Sequence, residues 1–571
     1  MLRWILIFAL LTSLAFICFG PSISGELITV DDLELVGSIK NRSTWNIEGT
    51  FIRKNSVGMY YRPISTLSFT ANKMLFGNDT RVLHITNLSL HLLNSILVFF
   101  LSLKLFSLVQ FRQTFSVICA FLYLCHPLTA ESVNWISGRT DILAATFVYS
   151  SALAFLSFKK NRNINFLLVS IFMFVGGVLA KETAVAFLAG FFFLYRAKKI
   201  AIKVNAKTYF RQLVGLFLIL ACMAGLVYFT VFQLRHFVLK DDSSQIALTW
   251  RIMDSNWQYS LFKCLGAFGF YVKKMFFPYP LNFAILEIDP LYELFAVPIV
   301  LGLLFLFVKR SNPGSFMLTS AALISPAFPI AFGQIAWTPY AERYVYIALG
   351  FSIPATIFYV QMIKISRRAV VTFLFVLIIM YAITTFLRSF QWRTNETLWA
   401  DTVSKSPLSE MAWNNYGIAQ AKNGKYSEAE KIFSRAALVD KRDFYYVDKY
   451  DLNTALTMLE RGHFNPAVEK LFSVISKSNG RSERAYNLLI KIVENNEIDK
   501  GRLFDRYKKY LDRCFIETGK PGFLYQRGLL EKYEMNTELA CQYFSRAETI
   551  ARETDPVVHK KALTALTGCS E

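Results

Sequence analysis

The chain has 571 residues, 54% of them hydrophobic and 53 of them phenylalanine, with a formal net charge of +21. A soluble globular protein is rarely so apolar. The charge is not a nucleic-acid signature either: residues 1–387 carry 33 basic and 16 acidic side chains, against 29 and 25 in residues 388–571, so the excess lies among apolar runs, where it orients membrane helices and meets anionic lipid.

In chain order, an apolar helix near 4–20 comes first, with Arg3 on its cytoplasmic side. Its basic start reads as a retained first helix and not a cleaved leader. Further spans are expected near 85–109, 115–128, 142–158, 164–180, 183–195, 213–234, 292–308, 315–333, 345–363 and 369–387, eleven in all. A hydrocarbon core of ~30 Å takes ~20 residues per helix. Lys and Arg gather in alternate connections: Arg112, then Lys159, Lys160 and Arg162, then Arg196 to Arg211, then Lys309 and Arg310, then Lys364, Arg367 and Arg368. The positive-inside rule makes those connections cytoplasmic, and puts the acidic loops and everything after 388 outside. Residues 259–277 are apolar but contain Lys263, Lys273 and Lys274. A span there would turn every later basic cluster outward, so a helix in the outer interface with snorkelling lysines is expected.

The outer loops hold the chemistry-bearing residues. The first, 21–84, has Asp31 and Asp32 before Leu33, and later Tyr60, Tyr61, Arg62 and Pro63. Paired acids at such a place also suit a helix N-terminus. His84, Asn87, His91 and Asn94 follow at spacings that put them on one helical stripe. For the deeper pair, His91 and Asn94, interhelical hydrogen bonding is sufficient explanation. The second loop carries His126, Pro127, Glu131, Trp135, Arg139 and Asp141; the third, Lys181 and Glu182; a later one, Trp337, Tyr340, Glu342, Arg343 and Tyr344. His126 before Pro127 equally suits a helix end. Asp241 and Asp242, beside Ser243 and Ser244, read as a hydrated loop. Together these loops offer cations for a lipid phosphate, aromatics and acids for a sugar ring, and a carboxylate to accept a proton.

After a linker at 388–411, residues 412–571 have the composition of a water-soluble helical domain. Ala412 to Ala437 places small residues, Gly417 and Ala429, where two antiparallel helices approach, with a turn at Gly424, Lys425 and Tyr426. This pattern is similar to a tetratricopeptide repeat, with its period of ~34 residues. Further turns are expected at Gly462, His463 and Phe464, at Asn495 to Glu497, and at Glu534 to Asn536. Such arrays form a solenoid whose concave face suits peptides. The eight cysteines show no CxxC, no zinc spacing and no disulfide framework.

The order of these motifs is specific: Asp-Asp, Tyr-Arg-Pro, His-x-x-Asn-x-x-x-His, His-Pro-x-x-x-Glu, Gly-Arg-x-Asp, Lys-Glu, Glu-Arg-Tyr, then Trp392 to Trp399 leading into repeats. It resembles the transmembrane-and-tetratricopeptide O-mannosyltransferases and their bacterial relatives. The resemblance implies an all-α, polytopic membrane fold of the GT-C type with about eleven transmembrane helices and a C-terminal α-solenoid. It also implies a lumenal or periplasmic active site, a polyprenyl or dolichyl phosphate sugar donor, mannose as the sugar, and protein serine or threonine acceptors. Asp31 or Asp32 would take the hydroxyl proton. Arg139, Lys181 and Arg343, ahead of Arg62, would meet the leaving phosphate, and His84, His126, Glu131, Asp141, Glu182 and Glu342 would line the substrate. A divalent ion, with Glu131 or Glu182 as co-ligand, is an open alternative. So is a non-enzymatic membrane scaffold whose repeats recruit exported proteins. Compact loops favour a bacterial inner membrane with periplasmic repeats, with the endoplasmic reticulum membrane and lumenal repeats as the eukaryotic equivalent. The sequons at Asn41, Asn78 and Asn395 fall on the outer side.

Overall fold

The computed structural model describes residues 2–40, 61–77, 79–197, 255–333, 336–363, 365–439, 447–495 and 498–569. The expected span at 213–234, Asp241 and Asp242, Tyr60, Lys364 and the sequons at Asn41 and Asn78 lie outside these residues. The chain divides into two compact units, Met1–Thr402 and Val403–Glu571. Among the described residues there is no strand; one antiparallel bridge joins Ile285 to Tyr340.

In the first unit, α1 (Leu2–Ile23) is followed by the short α2 (Asp32–Lys40) and by α3 (Pro63–Phe76). Proline, which lacks the orphan N–H of a first turn, opens α3, and Gly77, at φ 75°, closes it. α4 (Thr80–Leu105) is capped by Asp79, which accepts the Arg81 N–H at 2.9 Å. α5 (Arg112–Cys125) breaks at His126 and continues, bent by 49°, through α6 (Ala130–Asn134). α7 (Arg139–Asn161) and α8 (Ile164–Ala180) form a hairpin. Next come α9 (Phe187–Arg196), α10 (Trp257–Phe276), α11 (Leu291–Lys309), α12 (Asn312–Ile324) and α13 (Phe328–Gly333). The unit closes with α14 (Tyr346–Val360), α15 (Arg367–Gln391) and most of α16 (Asn395–Lys405), a helix that runs past Thr402 and lies within the stretch expected as a linker.

Among the described residues seven helical stretches are long and apolar enough to cross a membrane, or eight with the bent α5–α6 pair. The chain is a multi-pass membrane protein. Each expected span outside 213–234 meets a helix, but the one at 183–195 is shorter than expected. It begins as a 3-10 turn, Glu182–Ala186, and α9 then has ten residues, which rise only ~15 Å. Along α11 Ala296 alone is buried, while Leu294, Leu301, Leu304 and Phe305 are exposed. An apolar face open along a whole span is a lipid face.

α14 is the central helix, packing on α4, α5, α7 and α12. A polar network lies inside this apolar core. His91 Nε2–H donates to the Leu124 carbonyl at 3.0 Å, while its Nδ1 accepts from the Tyr346 hydroxyl at 2.8 Å. Asn94 donates to that hydroxyl and to the Ile142 carbonyl, at 3.2 and 2.9 Å. Buried polar atoms in hydrocarbon need partners, and here they have them, so His91 and Asn94 are structural.

Helix ends sort by charge. At one end Lys159 donates to the Leu194 and Ala197 carbonyls at 2.7 Å, closing α9, Ser311 meets the Tyr359 hydroxyl at 3.4 Å, and Arg367 lies 3.5 Å over the Phe111 ring. Asp141, Lys181 and Arg343 sit at the opposite ends of α7, α8 and α14. Asp141 and Lys159 share one helix, so ~27 Å of rise separates them.

The second unit is built of helix pairs, α17 (Glu410–Lys422) with α18 (Tyr426–Leu438), α19 (Val447–Glu460) with α20 (Phe464–Lys477), and α23 (Pro521–Tyr533) with α24 (Thr537–Thr554); between them α21 (Glu483–Glu494) packs on α20 and α22 (Lys500–Thr518) packs on α23, and α25 (Pro556–Thr567) folds back on α24. The helix pairing is that of a tetratricopeptide-like solenoid. A Cβ on Gly417 would stand 2.5 Å from the Phe433 ring, and one on Gly528 would stand 2.6 Å from Phe544. The same glycine and aromatic, sixteen positions apart, thus close the first and last of these pairs. One expectation fails here. Cys541 and Cys569 form a disulfide, with Cα atoms 6.0 Å apart, across a spacing that carries no motif and becomes short only when α24 and α25 fold back on each other.

Candidate active site

The acidic end of the first unit is assembled from loops fixed by hydrogen bonds. The segment before α2 is held on one side by α16. Thr29 N–H donates to Asn395 Oδ1 at 2.9 Å, Asn395 Nδ2 donates to Glu26 and to the Leu27 carbonyl, and Trp399 Nε1–H donates to Thr29 Oγ1 at 3.0 Å. Asn395 is therefore a buried tether. On the other side Trp135 donates to the Val30 carbonyl at 3.3 Å.

This clamp separates the two aspartates. Asp32 is buried and accepts three hydrogen bonds: Ile28 N–H at 3.1 Å on Oδ2, and Ser137 N–H and Oγ–H at 2.9 and 2.6 Å on Oδ1. Burial raises its carboxyl to about 7, against the lowering effect of the Ser137 bonds. Asp31 takes the left-handed conformation, φ 63°, sparsely populated by residues other than glycine, asparagine and aspartate. Its residue is exposed, yet protein surrounds it on several sides. The resulting loss of solvation raises its carboxyl, while Arg343 and then Arg62 pull it down. No ion-pair partner holds Asp31 among the described residues.

The remaining charges pair across loops. Arg62 forks onto Glu182, Nε to Oε2 at 2.9 Å and Nη2 to Oε1 at 2.6 Å. Burial pushes the Glu182 carboxyl up, but Arg62 and Lys181 overcome it and hold the group at about 2. Lys181 donates to Asp141 Oδ1 at 2.6 Å, and Asp141 Oδ2 is a buried oxygen with no hydrogen-bond partner among the described residues. Burial lowers the Lys181 ammonium, with Asp141 opposing. Arg343 pairs with Glu131, whose second oxygen accepts the Arg343 N–H at 3.1 Å, and its guanidinium lies 5.1 Å over the Trp135 ring. Glu342 pairs with Lys274 at 2.8 Å and accepts the Asn282 N–H at 2.9 Å. Lys274 is thus a buried partner and not a snorkelling side chain. Leaving Glu342 unpaired in this interior would cost more than extending the lysine to water regains. No signal in the sequence links residues 274 and 342.

Three expected site residues sit deeper. Arg139 is fully buried, with donors on Asn87 Oδ1 at 2.7 Å, the Leu83 carbonyl at 2.9 Å, Ser68 Oγ at 3.3 Å and Asn72, and its guanidinium 4.0 Å over Phe69. It fastens α3, α4 and α7 together. His126 caps the 3-10 turn after α5: Nδ1 accepts the Leu128 N–H at 3.3 Å, leaving Nε2–H to donate to the Met275 carbonyl at 3.1 Å. His84 is buried, and neither ring nitrogen has a hydrogen-bond partner among the described residues. The structure thus brings Asp31, Arg62, Asp141, Lys181, Glu182, Glu131 and Arg343 into one electrostatic neighbourhood. Among the described residues no three His, Cys, Asp or Glu side chains converge on a cation. Glu131 and Glu182 do not fit as co-ligands here, since each is already spanned by an arginine.

No family model matches the chain. Among curated proteins it is 29% identical over 199 residues to human protein O-mannosyl-transferase TMTC1, covering 31% of this chain and 22% of that protein. It is 27% identical over 202 residues to human TMTC4, covering 31% and 27%. A longer alignment, 455 residues at 23% identity, joins it to the Caenorhabditis elegans protein O-mannosyl-transferase F38B6.6, covering 76% of this chain and 62% of the relative. The matches span less than two thirds of the length of each of these relatives. Together with the multi-pass helical unit and the attached helical repeats, these matches make the chain similar to the TMTC protein O-mannosyl-transferases.

Proposed function

We propose that the protein is a membrane glycosyltransferase that moves mannose from a polyprenyl or dolichyl phosphate carrier to serine or threonine hydroxyls of proteins. One observation carries the assignment of the site: Asp31 is an open carboxylate in a left-handed backbone, with no ion-pair partner among the described residues and in the field of arginines 62 and 343. In the proposed reaction Asp31 accepts the acceptor hydroxyl proton. The oxygen bonds to the anomeric carbon as the bond from that carbon to the carrier phosphate oxygen breaks, and the electron pair leaves on the phosphate. Direct displacement inverts the anomeric centre. Arg62, the most open of the three cations, and Lys181 stabilise the charge arriving on the phosphate. Asp32 positions Asp31 through Ser137 and the Ile28 amide.

The names of the relatives support the reaction class. The disulfide in the second unit supports an oxidising compartment for the repeats, the side on which the charge alternation puts the acidic loops. There the repeat unit engages the acceptor chain. The test is transfer by the purified protein from polyprenyl-phosphate mannose to acceptor proteins, read as a hexose added to serine or threonine in peptide mass spectra. Failure to add hexose from mannosyl or other polyprenyl-phosphate donors would leave the scaffold reading in its place.

A further inference from the structure

The segment after α10 carries Phe283, a fully buried residue with no polar side-chain atom to offer a reaction. Four tryptophans meet its ring, at centroid distances of 4.8 Å for Trp392, 5.0 Å for Trp337, 5.4 Å for Trp399 and 5.6 Å for Trp135. Three of these contacts are edge-on, with planes 68°, 70° and 80° apart, the arrangement that aromatic quadrupoles favour. Three of the four indoles also belong to the structures that hold the segment leading into Asp31. Trp392 ends α15, and in the turn it opens the Arg393 carbonyl accepts the Glu26 N–H at 3.0 Å. Trp399 Nε1–H donates to Thr29 Oγ1 at 3.0 Å, and Trp135 Nε1–H to the Val30 carbonyl at 3.3 Å. Trp135 carries the Arg343 guanidinium 5.1 Å over its ring as well. The segment of Phe283 is itself tied to the Arg343 loop, because Asn282 N–H donates to Glu342 at 2.9 Å and Ile285 bridges to Tyr340.

An indole held by one hydrogen bond can still swing about its side-chain torsions, which are broad for aromatic rings. A phenyl ring wedged among several indoles removes that freedom from all of them together. The left-handed turn at residue 31 begins one residue beyond Val30, so a swing of either indole passes directly to the Asp31 carboxylate. We propose that Phe283 is a positioning residue for sugar transfer: by wedging the indoles of Trp135 and Trp399 it fixes Asp31 in place relative to Arg62 and Arg343. The proposal rests on the reading of Asp31 as the base. A displacement of about 1 Å at a reacting group can slow a reaction about 10²-fold, which is why a side chain that touches no substrate matters to the rate.

The test uses the full chain in detergent and two readouts. Hydrogen exchange of residues 26–32 needs no reaction. Phe283→Leu, which keeps the site apolar but removes the ring, is expected to speed exchange there about tenfold. The control Phe155→Leu changes a buried phenylalanine of α7 packed 5.0 Å from Phe191, toward the basic end; it is expected to lower the melting temperature while leaving that exchange and kcat as they were. In transfer kinetics Phe283→Leu is expected to lower kcat about tenfold or more with KM for donor and acceptor unchanged. Trp399→Phe keeps a ring against Phe283 and removes only the N–H on Thr29; it should lower kcat less, and the double variant should lose less than the product of the two single losses. If Phe283→Leu does not fold, Trp399→Phe carries both readouts. Unchanged exchange in 26–32, an equal change in Phe155→Leu, or losses in kcat that simply multiply would overturn the proposal. Faster exchange in Phe283→Leu beside full transfer in Asp31→Asn would support the wedge and overturn instead the assignment of Asp31 as base.

Discussion

Replacing each aspartate of the first outer loop by asparagine separates two roles that adjacent residues would otherwise share. Asp31→Asn keeps a residue that tolerates φ 63° and disturbs no ion pair among the described residues, so folding should be unaffected. Losing a general base typically slows transfer ~10²- to 10⁴-fold, or about 3–5 kcal/mol of transition-state stabilisation. Asp32→Asn does the opposite. The amide oxygen can still accept both Ser137 bonds, but its NH₂ then meets the Ile28 N–H that now donates to Oδ2 at 3.1 Å. A buried donor left without an acceptor costs about 1–3 kcal/mol, so this variant should melt lower while keeping measurable transfer. The assay pairs initial rates of mannose transfer with thermal unfolding in the same detergent, and a right-angle check comes from acceptor KM. Full transfer in Asp31→Asn, or inactivation of Asp32→Asn with unchanged melting, would refute the division of labour.

Because the Asp31 carboxyl is raised above 3.8, the acid limb of kcat/KM should lie above the ordinary aspartate range, with transfer falling as pH drops through it. Asp32, at about 7 when folded and 3.8 otherwise, contributes stability that is complete below 3.8 and lost as pH rises to about 7; Asp32→Asn should flatten that slope in unfolding measured from pH 4 to 8. Cys541→Ser opens a loop with sequence separation 28 and should destabilise the terminal repeats by about 3.5 kcal/mol, seen as faster hydrogen exchange in α24 and α25 of the intact chain; reductant should do the same to the wild type and nothing further to the variant. Gly417→Val drives side-chain atoms into the Phe433 ring, a cost of about 1–3 kcal/mol measurable as local exchange in α17 and α18. Arg343→Ala strands the buried Glu131, which should cost about 3–5 kcal/mol in thermal unfolding, with Arg343→Lys recovering part of it.

Apolar run length and the placement of Lys and Arg are local properties of the chain, and they determined by themselves the multi-pass helical architecture and the two-ended charge distribution, while small residues and turns marked helix pairs in the tail. The bulk of lipid and water reads them directly, without reference to which helix packs on which. Motif order likewise placed Asp31, Lys181, Glu182 and Arg343 in the loops that converge. Tertiary structure alone decided which partner each charge takes. Lys274 reaches Glu342 across 68 residues, Arg343 reaches Glu131 across 212, and Asp32 meets Ser137 across 105. Each of these contacts exists only because the low-dielectric interior penalises an unpaired charge and the fold supplies a partner from a distant loop. For the same reason the two adjacent aspartates, alike in sequence, part company in space: a left-handed turn at residue 31 sends one carboxylate outward and the next inward.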